Sequence, residues 1–220
     1  MLLKIVVALL GWRVEGVLDP GEWGALLDLL QATNLNWNTS EYPCHWPEVT
    51  CNQENTSVTT LLLTNLALIG TIPESIGNLT MVQTLIISQS KNLSGTIPQS
   101  LGRLSMLQRL ILSTSQLVGT IPDVIGNLTL LYEINLSENQ LSGVIPNTLQ
   151  NLNYLSFLDL SINQLSGTIP QNLSKLVNLS LRQNYLSGTI LESIGHWSML
   201  TSLELFRNNL SGTITSSIGS

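Results

Sequence analysis

Charge is scarce in this sequence: Asp, Glu, Lys and Arg together make up 10% of the residues, 14 acidic against 8 basic. No stretch clusters five or more basic side chains, so the electrostatic footprint that grips phosphate is missing and nucleic acid is excluded as an expected partner. Histidine and cysteine occur twice each. A closed zinc site wants about four ligands, and only His45 lies near Cys44 and Cys51, so no metal or other cofactor is expected. No apolar run approaches the ~20 residues of a membrane helix, and no transmembrane span is expected. What the 220 residues do contain is apolar material, 43% of the chain, enough for a substantial core.

The amino terminus reads as an address. Lys4 precedes the short apolar stretch "IVVALLG", and Val14 and Gly16 stand two apart behind it, as before a cleavage site. Residues 1–16 are therefore expected to be a signal peptide and the chain to be secreted. An oxidising compartment would let Cys44 and Cys51, in "CHWPEVTC", close a small disulfide loop. Sequons point the same way, at Asn38, Asn55, Asn78, Asn92, Asn127, Asn172 and Asn209, with two more at Asn135 and Asn178.

The dominant signal is a repeat. Taking the glycine before each "TI" or "VI" as phase mark gives Gly70, Gly95, Gly119, Gly143, Gly167, Gly188 and Gly212, in steps of 25, 24, 24, 24, 21 and 24 residues. Within one period Leu128, Leu131, Ile134, Leu136, Asn139 and Leu141 follow the pattern LxxLxLxxNxL. A strand over Ile134 to Leu136 sends both apolar side chains inward and Asn135 outward. One unit cannot bury its apolar side, but stacked units share a continuous core and align their strands in a parallel sheet. Asn139, Asn163, Asn184 and Asn208 fill the asparagine position late in the chain, while Leu66 and Ser115 stand there earlier. Buried amides must bond something, so the late asparagines are expected to hold backbone of neighbouring turns.

Ahead of the repeats, Asp19, Pro20 and Glu22 suggest a helix start with a D-x-x-E capping arrangement and proline at the first position. Trp23, Leu26, Leu27 and Leu30 recur at helical spacing and predict a short helix over the first open turn, with Trp37 and Trp46 packed there too. The division expected is a cap over 17–56 and about seven repeats over 57–220, the last incomplete and without a C-terminal cap.

The phrase "LSGxIPxxLGxL", its 24-residue period and the cysteine-containing cap resemble the plant-type extracellular leucine-rich repeats, over about residues 19 to 220. The cap "YPCHWPEVTCNQEN" is similar to that of plant receptor kinases, including the somatic embryogenesis receptor kinases, whose cap also lacks the usual glycine where Glu48 stands. The early repeats look like polygalacturonase-inhibiting proteins. The resemblance implies an α/β fold, a right-handed curved solenoid with a concave parallel sheet and an N-terminal helical, disulfide-bonded cap. It further implies no enzymatic activity and a recognition module, extracellular or in the cell wall, for defence or signalling. The implied partner is a protein or peptide, with an inhibitor of a pathogen polygalacturonase and a receptor-type ectodomain as the two forms.

Recognition would fall on the outward columns of the sheet. The central one runs Leu62, Ile86, Ile111, Asn135, Asp159, Ser180, Glu204 and turns from apolar to polar. Beside it lie Arg109, Glu133 and Phe157 on one side, and Ser88, Ser113, Ser137, Ser161, Arg182 and Phe206 on the other. Phe157, Phe206, Arg109 and Arg182 are of the types that anchor interfaces. The predicted contact residues are Arg109, Ile111, Glu133, Asn135, Phe157, Asp159, Arg182, Glu204 and Phe206. Their arrangement offers no catalytic group: the histidines are His45 in the cap and His196, which the register assigns to the convex side. A rival class is ice binding, by a flat ladder of hydroxyls from Ser94, Thr96, Ser142, Ser166, Thr168, Ser187, Thr189, Ser211 and Thr213.

Overall fold

The computed structural model describes residues 16–190 and 197–212. Residues 1–15 of the expected leader, His196 and Thr213 lie outside the described residues. Helix α1, Pro20–Thr33, begins at Asp19, whose carboxylate accepts the backbone N–H groups of Gly21 and Glu22, and ends at Asn34 in the left-handed conformation. The expected reciprocal cap is not formed. Glu22 turns inward and its Oε2 accepts the backbone N–H of Val58 at 2.6 Å, the first residue of the first long strand, Val58–Thr64. The buried stripe is Glu22, Ala25, Leu26 and Leu29, so Leu27 and Leu30 sit at the margin of the core rather than in it.

Trp37 and Trp46 stack with ring centroids 4.5 Å apart beneath the cap, and each indole N–H is satisfied, by Glu48 Oε2 and by the Asn38 carbonyl. Cys44 and Cys51 are bonded. The strand Val49–Cys51 then joins the first repeat antiparallel and seals the open edge that a stack of parallel strands would otherwise present.

From there the chain repeats one coil. Strands Val58–Thr64, Thr84–Ser88, Arg109–Ile111, Glu133–Asn135, Phe157–Asp159, Asn178–Ser180 and Ser202–Glu204 pair in parallel, in strict register, to complete an eight-stranded sheet. The first six send an apolar residue into the core, Leu61, Leu85, Leu110, Ile134, Leu158 and Leu179, all at most 1% exposed, while Leu203 of the seventh is part-buried. A further ladder on the flank joins Val118–Gly119, Gln140–Val144, Gln164–Gly167, Tyr185–Thr189 and Asn209–Ser211. A bridge between Thr96 and Val118 continues it toward the pair Ile69–Thr71 and Asn92–Ser94. The flank sheet was not legible in the sequence, because its strands of two to five residues carry no alternation long enough to read.

The opposite side is a column of 3-10 turns, Glu74–Asn78, Gln99–Arg103, Asp123–Asn127 and Asn147–Asn151, each stacked on the next, with α1 on the first. Their spacing is set by missing side chains. A Cβ on Gly126 would stand 2.4 Å from the Thr148 carbonyl oxygen, and Gly77 and Gly102 meet the next turn as closely. These turns are bulkier than strands, so the stack bends with the eight-stranded sheet on its concave side.

Asparagines hold consecutive coils together. Asn163 Oδ1 accepts the N–H of Leu141 one coil back, and its Nδ2 donates to the carbonyls of Leu136, Leu160 and Ser161. Asn139 and Asn184 repeat the pattern, and Asn208 keeps its outer bonds. Earlier in the chain Ser90 and Ser115 stand in, each hydroxyl donating only to a carbonyl two residues back.

Candidate functional site

The concave sheet carries its side chains in columns, because identical register places each position of a strand beside its counterpart in the next. At the amino-terminal end the outward residues are apolar, Leu62 being 42% exposed. In the middle Arg109 and Glu133 face each other on paired strands and bond at 2.6 Å. That contact holds the Arg109 guanidinium above its ordinary range, so the two predicted contact residues chiefly satisfy one another.

At the carboxyl-terminal end the predicted residues do converge. Phe157, Asn178 and Ser202 are register partners, as are Asp159, Ser180 and Glu204. Ser180 Oγ donates to Glu204 at 2.9 Å, Arg182 Nε lies 3.4 Å from the same carboxylate, and its guanidinium sits over the Phe206 ring at 6.0 Å. Phe206 is 54% exposed, whereas Phe157 is half-buried among its neighbours rather than free on the surface.

The expected serine column needs correction. Ser88, Ser137 and Ser161 are not a surface column but buried, Ser88 as the last residue of its strand and the other two where the chain turns directly after theirs. Asn135 and Asp159 serve that turn: each Oδ1 accepts the N–H of the residue two ahead, Ser137 and Ser161. Their outer faces remain available, but their rotamers are fixed from below. The sequence also left out Tyr132, 40% exposed next to Glu133, and Tyr154, 65% exposed one coil on. Tyr132 directly precedes its strand, whereas Tyr154 stands three residues before its own, as do Met81, Leu130 and Met199, all exposed; a column of large apolar residues at that one repeat position was the available signal for Tyr154.

The hydroxyl ladder exists on the flank in altered form. The Ser94, Ser142, Ser166, Ser187 and Ser211 hydroxyls each donate to the phase-glycine carbonyl one coil back, and Val118 and Val144 interrupt the outward series. Among the described residues no group of His, Cys, Asp and Glu is placed to hold a metal ion, and no helix is long and apolar enough to cross a membrane.

Models of the leucine rich repeat match residues 107–165, 175–197 and 199–220. No curated protein matches the sequence. Among solved structures, the plant peptide hormone receptor RGFR1 in complex with RGF2 is 40% identical, over 69% of this chain and 25% of that one, with a TM-score of 0.67. The PEPR1–AtPEP1 complex is 35% identical, over 90% of this chain and 29% of that one, with a TM-score of 0.81. The chain thus spans less than a third of the length of either receptor. A plant ice-binding protein shares the fold at 24% identity, over 90% of this chain and 82% of that one, with a TM-score of 0.60, a likeness that speaks to the fold alone.

Proposed function

The chain belongs to the plant-type extracellular leucine-rich repeat proteins, and from that premise we propose that it recognises an extended peptide segment on the concave sheet, as part of a signalling receptor. The observation that carries the reading is the convergence of Phe157, Asp159, Arg182, Glu204 and Phe206 on three neighbouring strands and the turns that follow them. Phe206 and the rim of Phe157 offer an apolar seat. Asp159 and Glu204 stand beside it in a protein of formal net charge −6, so the ligand is an extracellular peptide carrying an apolar anchor and a nearby cation. Support comes from the two receptors above, whose structures hold RGF2 and AtPEP1.

The test is affinity selection of this chain against a library of secreted peptides, followed by titration of the selected peptide with wild type and with a Phe206→Ala, Asp159→Lys double variant. Binding by the first and loss of ten-fold or more in the second, with equal thermal stability, supports the site. Equal binding by both moves recognition off this patch. Inhibition of a polygalacturonase, or of ice growth, with no peptide selected would replace the reading.

A further inference from the structure

The repeat that is three residues short leaves a mark on the convex side. In the preceding coils the residue two after the proline packs on the glycine of the turn before: Ser100 on Gly77, Val124 on Gly102, Thr148 on Gly126. In the short coil the residue two after Pro170 is Asn172, and the segment 171–174 makes no 3-10 turn. The position it would pack against is Gln150, not glycine, and the contact is between side chains, Asn172 Nδ2 donating to Gln150 Oε1 at 3.3 Å. The stack of turns is thereby broken, and two adjoining hollows of about 210 and 540 Å³ open at the break. Gln150 and Asn172 line both. Amides and hydroxyls line them, Asn153 in the smaller and Asn147, Thr168 and Thr189 in the larger, beside leucine side chains in the smaller and Ile169 and Pro170 in the larger.

Asn172 opens the sequon Asn-Leu-Ser and is exposed. We propose that Asn172 carries an N-linked glycan whose first sugars lie in this notch and take the place of the missing turn. The inference rests on the extracellular reading of the chain. In the transfer the Asn172 amide nitrogen attacks C1 of a lipid-diphosphate-linked oligosaccharide. The C–N bond forms as the C–O bond to the diphosphate breaks, the lipid diphosphate leaves, and the amide gives up one proton. The second N–H stays, so the bond to Gln150 can be kept and the sugar is aimed along the hollow. A sugar offers hydroxyls to the amide groups and its C–H face to the apolar side chains, the two kinds of surface present there.

The test is expression of the full chain in plant secretory cells, with site-by-site occupancy by peptide mass spectrometry. Thermal unfolding and hydrogen exchange of wild type are then compared with Ser174→Ala, which removes the sequon but keeps Asn172, and with Asn78→Gln as a control. Expected are high occupancy at Asn172, a midpoint about 3 °C lower in Ser174→Ala, and faster exchange confined to residues 147–153 and 170–176, with no such change in the control. Trimming the glycan to one or two sugars leaves the wild-type midpoint in place. Occupancy at other sequons with none at Asn172, or an occupied Asn172 whose loss alters neither readout, overturns this inference alone. No glycan at any sequon overturns the extracellular premise with it.

Discussion

The carboxylate of Glu22, 2% exposed on the first turn of α1, accepts the backbone N–H of Val58 at 2.6 Å and ties the cap to the first coil. Burial raises its pKa to about 7, the Val58 N–H pulls the other way, and the Asp19 charge adds to the rise. The folded protein therefore binds a proton that the unfolded chain, with a carboxyl near 4.5, releases. Stability from this group is complete below pH 4.5 and declines as pH rises toward 7, by about 2 kcal/mol. Urea titrations at pH 5 and pH 8 should show the difference in wild type. Glu22→Gln, whose amide oxygen can still accept from Val58, should flatten it; an unchanged slope in that variant would remove Glu22 as the cause.

Asn163 makes four bonds to two coils, so replacing it leaves a buried N–H and several carbonyls without partners. Asn163→Ala should lose about 3 kcal/mol in denaturant unfolding, at the upper end for a single polar deletion. Ser115→Ala, at the equivalent position where the hydroxyl makes one long bond of 3.5 Å, should lose less than about 1 kcal/mol. Equal losses would mean that the amide ladder does not hold the coils.

That contrast shows what could be read in advance. The period, the inward leucines, the cysteine pair and the bonding of the asparagines were legible, because repetition prints the same packing problem several times over. Single events were not. Glu22 looked like a capping residue, since nothing local says that Val58, 36 residues away in sequence, needs a partner. Ser137 and Ser161 looked exposed because alternation was carried past the last strand residue, where the chain had already turned. Arg109 and Glu133 are 24 residues apart, and only the register reveals that these two predicted contact residues neutralise each other.

Ile162 occupies the corner after its strand with φ +54, a conformation in which a β-branched side chain is strained. Glu138 and Gln183 take the same corner in the neighbouring coils without branching at Cβ. Ile162→Asn should raise stability by about 1 kcal/mol, since asparagine tolerates this region and the side chain given up is only half-buried. Chemical denaturation checks it, and a lower midpoint would show that the packing of Ile162 outweighs the relief.

Gly126 and Gln150 hold the same place in successive coils, yet the geometry demands opposite sensitivities. A methyl group on Gly126 meets the backbone of Thr148 at 2.4 Å, so the stacked turns must move apart; Gly126→Ala should cost about 2 kcal/mol. Gln150 has no turn stacked on it and is exposed, so Gln150→Ala should fall within about 0.5 kcal/mol in protein made without glycans. Hydrogen exchange adds a spatial check, since the Gly126→Ala loss should appear first at residues 123–127 and 147–151. If Gln150→Ala were as damaging as Gly126→Ala, its side chain would itself be the filler of the notch, and no sugar would be needed there.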